Sequence, residues 1–210
     1  MKKGLLFVVS GPSGTGKGTV CGEFVRRTEI SLSVSMTTRK PRPGETDGKD
    51  YYFVSEELFL KTVSNDGFLE YAKVYDHYYG TPKAPVTTKL AAGTDVLLEI
   101  DTQGALDVRR EWPEGIFVYI LPPSMRELRR RIEGRGTESR EAIDLRLGES
   151  LKEMERIDQY DYCVINARAQ EAADSLTAIL RAEHARVGHD IHETIRAYKE
   201  EIRCYTHPSI

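Results

Sequence analysis

The chain of 210 residues is 40% hydrophobic and 30% charged, the proportions of a folded globular protein rather than a disordered one. Its 30 Lys and Arg against 33 Asp and Glu leave a net charge of -3, which argues against a general nucleic-acid binder, since those carry a basic footprint. Three cysteines, Cys21, Cys163 and Cys204, are far apart and form no C-x-x-C pair, as expected of free, mostly packed thiols in a reducing compartment.

In chain order, residues 5–9 form a short apolar run that breaks at once into a glycine-rich turn. That is too short for a signal-peptide core or a membrane span, and a buried parallel strand explains it better. With no address or anchor legible, the expected location is the cytoplasm, with no membrane partner. A helix is predicted from about residue 16 or 17 to 27, then strands over 31–36 and 51–54, the latter approached through the turn-rich PRPGETDGKD. Ser55 is a good N-cap for a helix over 56–63, with acids in its first turn. Residues 68–74 and 77–80 read as short strands around a turn at Asp76, and 86–92 as helical.

A buried strand over 96–100 ends at Asp101 and leads to a helix over 102–111. A strand over 116–121 closes at Pro122-Pro123, and Ser124 caps a helix through ELRRRIE. A glycine-containing loop over 134–139 precedes a long helix over 141–157, with Ile143, Leu147, Leu151 and Met154 as one apolar stripe. A strand over 162–165 and a helix over 170–185 follow. Ile191, Ile195, Tyr198 and Ile202 recur at helical spacing in 189–203, an amphipathic tail expected to pack on the core or on a second subunit. Strands alternating with helices at both ends signal an α/β fold with a parallel sheet. The Tyr- and turn-rich middle, about 35–90, departs from that rhythm and reads as an inserted subdomain. The five histidines form no convincing metal-ligand set.

The turn after the first strand, GPSGTGKGTV, matches the phosphate-loop pattern G-x-x-x-x-G-K-[ST] except at its last position, where Gly18 replaces the hydroxyl residue and Thr19 follows. Gly11, Gly14 and Gly16 let backbone N–H groups converge on phosphate oxygens. The helix start adds a partial positive charge, and Lys17 a full one. The string G-K-G-T is similar to that of nucleoside-monophosphate kinases, so Gly18 is expected to be a variant rather than decay. Mg²⁺ would then be held mostly by water and phosphate oxygens.

The pieces SGPSGTGKGT, S-x-T-T-R-x-P-R-x-G-E-x-D-G-x-D-Y, FLE, YYGT, DTQG and EGRGTES occur in an order and spacing that closely resemble the guanylate kinase family, bacterial type, over about residues 5–180. The resemblance implies a phosphate-loop nucleoside-triphosphatase fold: a parallel sheet flanked by helices, with an inserted GMP-binding subdomain and a small mobile lid. Residues 1–34 and 82–210 would be the core, 35–81 the insert, about 126–157 the lid and about 189–204 a C-terminal helix. It implies Mg²⁺-dependent transfer of the ATP γ-phosphate to GMP, with dGMP a further acceptor; the amphipathic tail, beyond the resemblance, leaves a monomer or a homo-oligomer formed through the C-terminal helix as the expectation.

It also implies residue roles. Gly11, Pro12, Ser13, Gly14, Thr15, Gly16, Lys17, Gly18 and Thr19 would bind ATP, with Asn166 beside the adenine; Ala167 stands where the family usually has Asp or Asn. Arg39, Arg42, Tyr51 and Tyr79 would hold the GMP phosphate. Glu70 would accept from guanine N1–H and N2, Ser35 and Thr81 would reach other edges of the base, and Asp101 would sit near the base. Thr19 and Asp101 would meet the metal through water. Lys17, Arg39 and the lid residues Arg131, Arg135 and Arg146 would carry the transfer. Glu99, on the same strand face as Asp101, stands where the family often has Asp. Read alone, Glu70 is an ordinary solvated acid, and only its flanking match gives it a role. Two rivals stay open: a guanylate-kinase-like scaffold domain that binds phosphorylated partners, and a kinase for AMP, dAMP or UMP.

Overall fold

The structure, a computed structural model, describes residues 3–134, 139–187 and 191–206. Arg135, its flanking Gly136 and His189 lie outside the described residues.

In chain order the elements are β1 (Leu6–Ser10), α1 (Lys17–Arg27), β2 (Ser31–Leu32), β3 (Met36–Thr37), β4 (Tyr52–Phe53), α2 (Glu56–Ser64), β5 (Phe68–Val74), β6 (His77–Pro82), α3 (Lys83–Ala91), β7 (Val96–Glu99), α4 (Thr102–Glu111), β8 (Ile116–Leu121), α5 (Met125–Glu133), α6 (Arg140–Met154), β9 (Tyr162–Ile165), α7 (Ala169–Ala185) and α8 (Ile191–Thr206). A 3-10 turn, Ile157–Gln159, joins α6 to β9.

Five parallel strands form one sheet in the order β2-β7-β1-β8-β9. β1 is its centre, and all five of its residues are buried, as a strand covered on both faces must be. Alternation divides its side chains. Phe7 and Val9 join a core with Val20, Phe24 and Leu176 of α1 and α7, while Leu6 and Val8 join one with Val86, Leu90 and Val108 of α3 and α4. Helices thus cover both faces, and the parallel α/β reading of the sequence holds.

The second sheet, β4-β3-β6-β5, is mostly antiparallel. Phe59 of α2 is its packing centre, fully buried and stacked on Phe68 at 4.5 Å and Tyr78 at 5.3 Å between ring centroids. The β5–β6 register shifts between Phe68 and Glu70, pairing Glu70 with Thr81. A bulge of this kind re-aims one side chain.

Several sequence expectations are corrected. The strand expected over 31–36 is two short strands in different sheets: β2 pairs with β7, and β3 with β6 and β4. Tyr51 forms only an isolated bridge with Asp47 before β4. β7 ends at Glu99, and Asp101 is instead the N-cap of α4, accepting from Gly104 N at 2.7 Å. On α6, Ile143 is buried with Leu128 and Ile132, and Leu147 and Met154 pack against them, but Leu151 is 51% exposed. At i+8 from Ile143 it has rotated past the α5 contact. Cys163 is exposed rather than packed, because β9 is an edge strand. Ile195, Tyr198 and Ile202 of α8 are at least 41% exposed, so this face is not buried on the core. None of the described helices is long and apolar enough to cross a membrane.

Removing a fully buried aromatic side chain leaves a cavity as well as lost apolar burial. Phe59→Ala is expected to lower unfolding free energy by about 3–5 kcal/mol. Urea denaturation followed by circular dichroism checks this; a loss below 1 kcal/mol, the scale of ordinary surface substitutions, would show that the α2 contact does not hold the second sheet.

Candidate active site

The glycine loop leaves β1 and enters α1 with Gly16 as N-cap. Gly16 has φ 86°, and a side-chain carbon there would stand 2.7 Å from Asn166 Nδ2, so only glycine fits. Gly11 is as confined, since a carbon there would meet Ile120 O at 2.4 Å. No side chain caps α1, so the first-turn N–H groups stay available to an anion. Thr15 folds back, its hydroxyl donating to Pro12 O at 2.9 Å. Lys17 Nζ donates to Gly11 O and, at 3.2 Å, to Pro12 O. Burial lowers the Lys17 pKa, and Glu99, Glu153 and Asp101 oppose that shift.

Gly18 has a structural explanation. A side-chain carbon at this position would stand 3.3 Å from Glu99 Oε1. The Glu99 carboxylate therefore fills the space beside position 18 that a hydroxyl residue would otherwise enter. Thr19 is exposed on the first turn of α1.

Two arginines reach this loop from α5 and α6. Arg131 donates to Thr15 O at 3.1 Å, to Asn166 O at 2.9 Å and to Glu127 Oε1 at 2.8 Å. Arg146 donates to Ser13 Oγ at 2.6 Å. Asn166 Nδ2 donates to Thr15 O at 2.7 Å, while its buried Oδ1 has no partner among the described residues.

The second group gathers around a cavity of about 280 Å³ lined by Ser35, Tyr51, Glu70, Tyr79, Glu99 and Asp101 among others. Thr81 is buried beside it and donates its hydroxyl to Glu70 Oε1 at 2.6 Å. Burial raises the Glu70 pKa to about 7; the Thr81 hydrogen bond opposes this, and the charges of Asp101 and Asp107 add to it. Burial also raises the Tyr51 phenol. Tyr51 and Tyr79 meet edge to face at 6.0 Å.

Arg39 lies over the Tyr51 and Phe53 rings at 5.4 Å and 5.7 Å and makes a two-pronged pair with Glu45, at 2.8 Å and 2.9 Å. Hydrogen bonding from Arg39, then from the Arg42 backbone, holds the Glu45 carboxyl down at about 2. The exposed Arg42 is tied in through its backbone N–H, 2.7 Å from Glu45 Oε2. The planar fork that Glu45 engages is the geometry by which arginine binds a phosphate.

Of the expected residues, the structure thus gathers Ser35, Tyr51, Glu70, Tyr79, Thr81 and Asp101 at one cavity with Arg39 alongside. It gathers Ser13, Thr15, Gly16, Lys17, Arg131, Arg146 and Asn166 at the loop, and leaves Arg42 on the rim. Sequence reasoning missed Glu45 and Glu153. An acid three residues after Arg42 and six after Arg39 was a usable signal for the first, whereas nothing local marks Glu153. Among the described residues no group of three or more His, Cys, Asp or Glu could hold a metal alone. Glu99 and Asp101 line the same cavity, and carboxylate oxygens are hard donors of the kind that suits Mg²⁺.

A family model described as Guanylate kinase matches residues 3–183. The chain is 54% identical over 187 residues to a protein named guanylate kinase from Caldanaerobacter subterraneus subsp. tengcongensis, covering 89% of this chain and 91% of that one. It is 51% identical over 202 residues to a guanylate kinase of Clostridium tetani, covering 96% and 97%. The crystal structure of guanylate kinase from Anaplasma phagocytophilum superposes with a TM-score of 0.72 at 36% identity, covering 89% of each chain.

The raised Glu70 pKa has a consequence for stability. Between about pH 4.5 and 7 the folded chain holds a proton that the unfolded chain has released, so this contribution is fully present below about 4.5 and is lost as pH rises through about 7. Glu70→Gln is expected to remove this dependence, up to about 3 kcal/mol across the window. Denaturant titrations of both proteins between these pH values check it; equal pH slopes would mean that the acid is not desolvated.

Proposed function

The chain belongs to the guanylate kinase family, and on that premise we propose how its residues divide the transfer of the ATP γ-phosphate to GMP. It is an ATP:GMP phosphotransferase, yielding ADP and GDP. The observation that carries the division of labour is one cavity that runs from Glu70 to Glu99, the residue standing against Gly18 of the phosphate loop. The acceptor pocket and the loop therefore share a wall.

Guanine presents two adjacent donors, N1–H and the N2 amino group, and an ionised Glu70 can accept both. Thr81 fixes one of its oxygens, which sets the plane of the carboxylate. Ser35 and Asp101 reach the remaining polar edges. Adenine would set a bare N1 acceptor against the acid, and a site built on buried hydrogen bonds rejects such an analogue strongly. Arg39, Arg42, Tyr51 and Tyr79 hold the GMP phosphate, which takes the Arg39 fork from Glu45. None of these residues reads the ribose, so dGMP serves as well.

At the donor end the uncapped α1 N-terminus and residues 11–19 hold the ATP phosphates, and Lys17 leaves the loop carbonyls to follow the γ-phosphate. Arg131, Arg135 and Arg146 neutralise charge as it shifts between the two nucleotides, and Asn166 faces the adenine. Phosphoryl transfer needs this positioning and neutralisation more than covalent help. Mg²⁺, when bound with ATP, neutralises and orients the phosphates, and Thr19 and Asp101, together with Glu99, would hold its waters. In this reading residues 35–81 are the GMP-binding subdomain, 126–157 a lid that closes over ATP and excludes water, and the remainder the core. A cytoplasmic location, where ATP and GMP are both available, fits this reading.

A coupled assay of ADP release with GMP, AMP and UMP is expected to show efficient turnover of GMP alone. Glu70→Gln adds a donor opposite guanine N1–H. It is expected to lower kcat/KM for GMP by about 10²-fold or more and to leave KM for ATP within about threefold, because no ATP contact changes. No GMP turnover together with tight binding of a phosphopeptide would favour the scaffold reading. Equal losses toward both nucleotides would show that the change had damaged the fold.

A further inference from the structure

The first turn of α4 touches both halves of the site. On one side its N-cap, Asp101, lines the acceptor cavity, and a carbon added at Gly104 would stand 3.1 Å from Glu70 Oε2 and 3.3 Å from Asp101 Oδ1. On the other side Thr102, 2% exposed, donates its hydroxyl to Glu153 Oε2 at 3.2 Å. Beside it Arg156 donates to Gln103 Oε1 at 2.9 Å. Glu153 belongs to α6, and Arg156 directly precedes the turn after it.

α6 also carries Arg146, bonded to Ser13 of the phosphate loop. Arg146 and Glu153 are seven residues apart, close to two helical turns, so they share one face of the helix. A hydrogen-bonded helix moves nearly as a rigid rod. A displacement that carries Arg146 toward a phosphate on the loop therefore also shifts Glu153, and with it the turn holding Asp101 against Glu70. Half-buried Glu153 has no other polar side chain bonded to it in the described structure than Thr102.

We propose that Glu153 is a positioning residue that couples the two substrate sites. Its carboxylate ties the arginine-bearing helix to the first turn of α4, so that donor phosphates gripped by Arg146 favour the acceptor pocket in its GMP-binding arrangement. This rests on the reading of the chain as an ATP:GMP phosphotransferase. Coupling between sites is a free energy and is reciprocal. The factor by which the donor tightens GMP therefore equals the factor by which GMP tightens the donor.

The test is calorimetric, on the full chain. The Kd of GMP is measured with and without a saturating non-hydrolysable ATP analogue and Mg²⁺, for wild type, Glu153→Ala, Glu153→Gln, Thr102→Val and the Glu153→Ala/Thr102→Val double variant. Wild type is expected to show GMP tightened at least about fivefold. The factor should fall toward one in Glu153→Ala and Thr102→Val, while the Kd of each ligand alone stays within about threefold, a shift too small to signal a lost contact. The double variant should be no worse than the worse single one, because both remove the same bond. Glu153→Gln keeps an acceptor for the Thr102 hydroxyl and should retain most of the factor.

An undiminished factor in Glu153→Ala or Thr102→Val would overturn the proposal, and so would a wild-type factor of one. Loss in Glu153→Gln equal to that in Glu153→Ala would also overturn it, assigning the effect to charge facing Lys17 instead of to the bond. Variants that lose both affinities outright would show a structural residue rather than a coupling one. Wild-type GMP turnover, measured in parallel, tests the underlying reading on its own: turnover without coupling sinks only this inference.

Discussion

A charge withdrawn from water must meet a partner, and both halves of the site are organised by that requirement. At the loop, Lys17 rests on the carbonyls of Gly11 and Pro12 and faces Glu99, Glu153 and Asp101. In the second sheet Arg39 rests on Glu45 and two aromatic rings. Each cation is held by groups that a phosphate can outcompete, because a phosphate dianion carries more charge than a carbonyl or one carboxylate. The internal partners keep the cations oriented without satisfying them as strongly as a nucleotide would. Glu70 is the inverse case. Its acid is partly buried among apolar and acidic neighbours, with Thr81 for support, so its pKa is raised to about 7 and the free pocket holds a substantial share of it protonated at neutral pH. Two donors on a guanine edge would favour the ionised form.

The scaffold explains why these groups can be held so closely. β1 lies at the centre of the parallel sheet, and the loop that follows it is pinned on several sides. Ile120 crowds Gly11, Leu128 and Ile132 crowd Gly14, and Asn166 crowds Gly16. Those residues come from β8, which neighbours β1 in the sheet, from the helix α5 that follows β8, and from the end of β9, the next strand out, all distant in sequence from the loop. The mostly antiparallel sheet contributes its acid through a bulge that sets Glu70 opposite Thr81. One sheet supplies a rigid loop and the other an aimed side chain, and α4 abuts both.

What was legible in the sequence follows the range of the interactions. Ser55 and Ser124 are capping types, and each does accept from the backbone three residues on, so these helix starts were readable from local chemistry. The elements over 102–111, 116–121 and 162–165 were readable to the residue, since their apolar runs are bounded by strong stops. The stretch 31–36 misled, because one short apolar run serves two sheets and nothing local marks the point of transfer. Leu151 misled for a related reason: a broad helical stripe includes residues at its margin, and position i+8 from Ile143 turns away from α5 while Met154 beyond it still packs. The phosphate loop, Glu70 and the Arg39 cluster were legible as motifs. Glu45 and Glu153 were not, since their meaning lies in partners that folding brings to them.

Gly18 and Glu99 together have a consequence for how this loop can change. The space beside the loop is shared between a backbone position with no side chain and a long acid 3.3 Å from where a side chain would begin. Volume and charge at the two positions are therefore one quantity divided in two. A side chain at 18 would press the Glu99 carboxylate aside by a few tenths of an ångström, and a shorter acid at 99 would leave it more room. The departure from the phosphate-loop pattern is half of a pair whose other half sits 81 positions later in the chain, on a neighbouring strand.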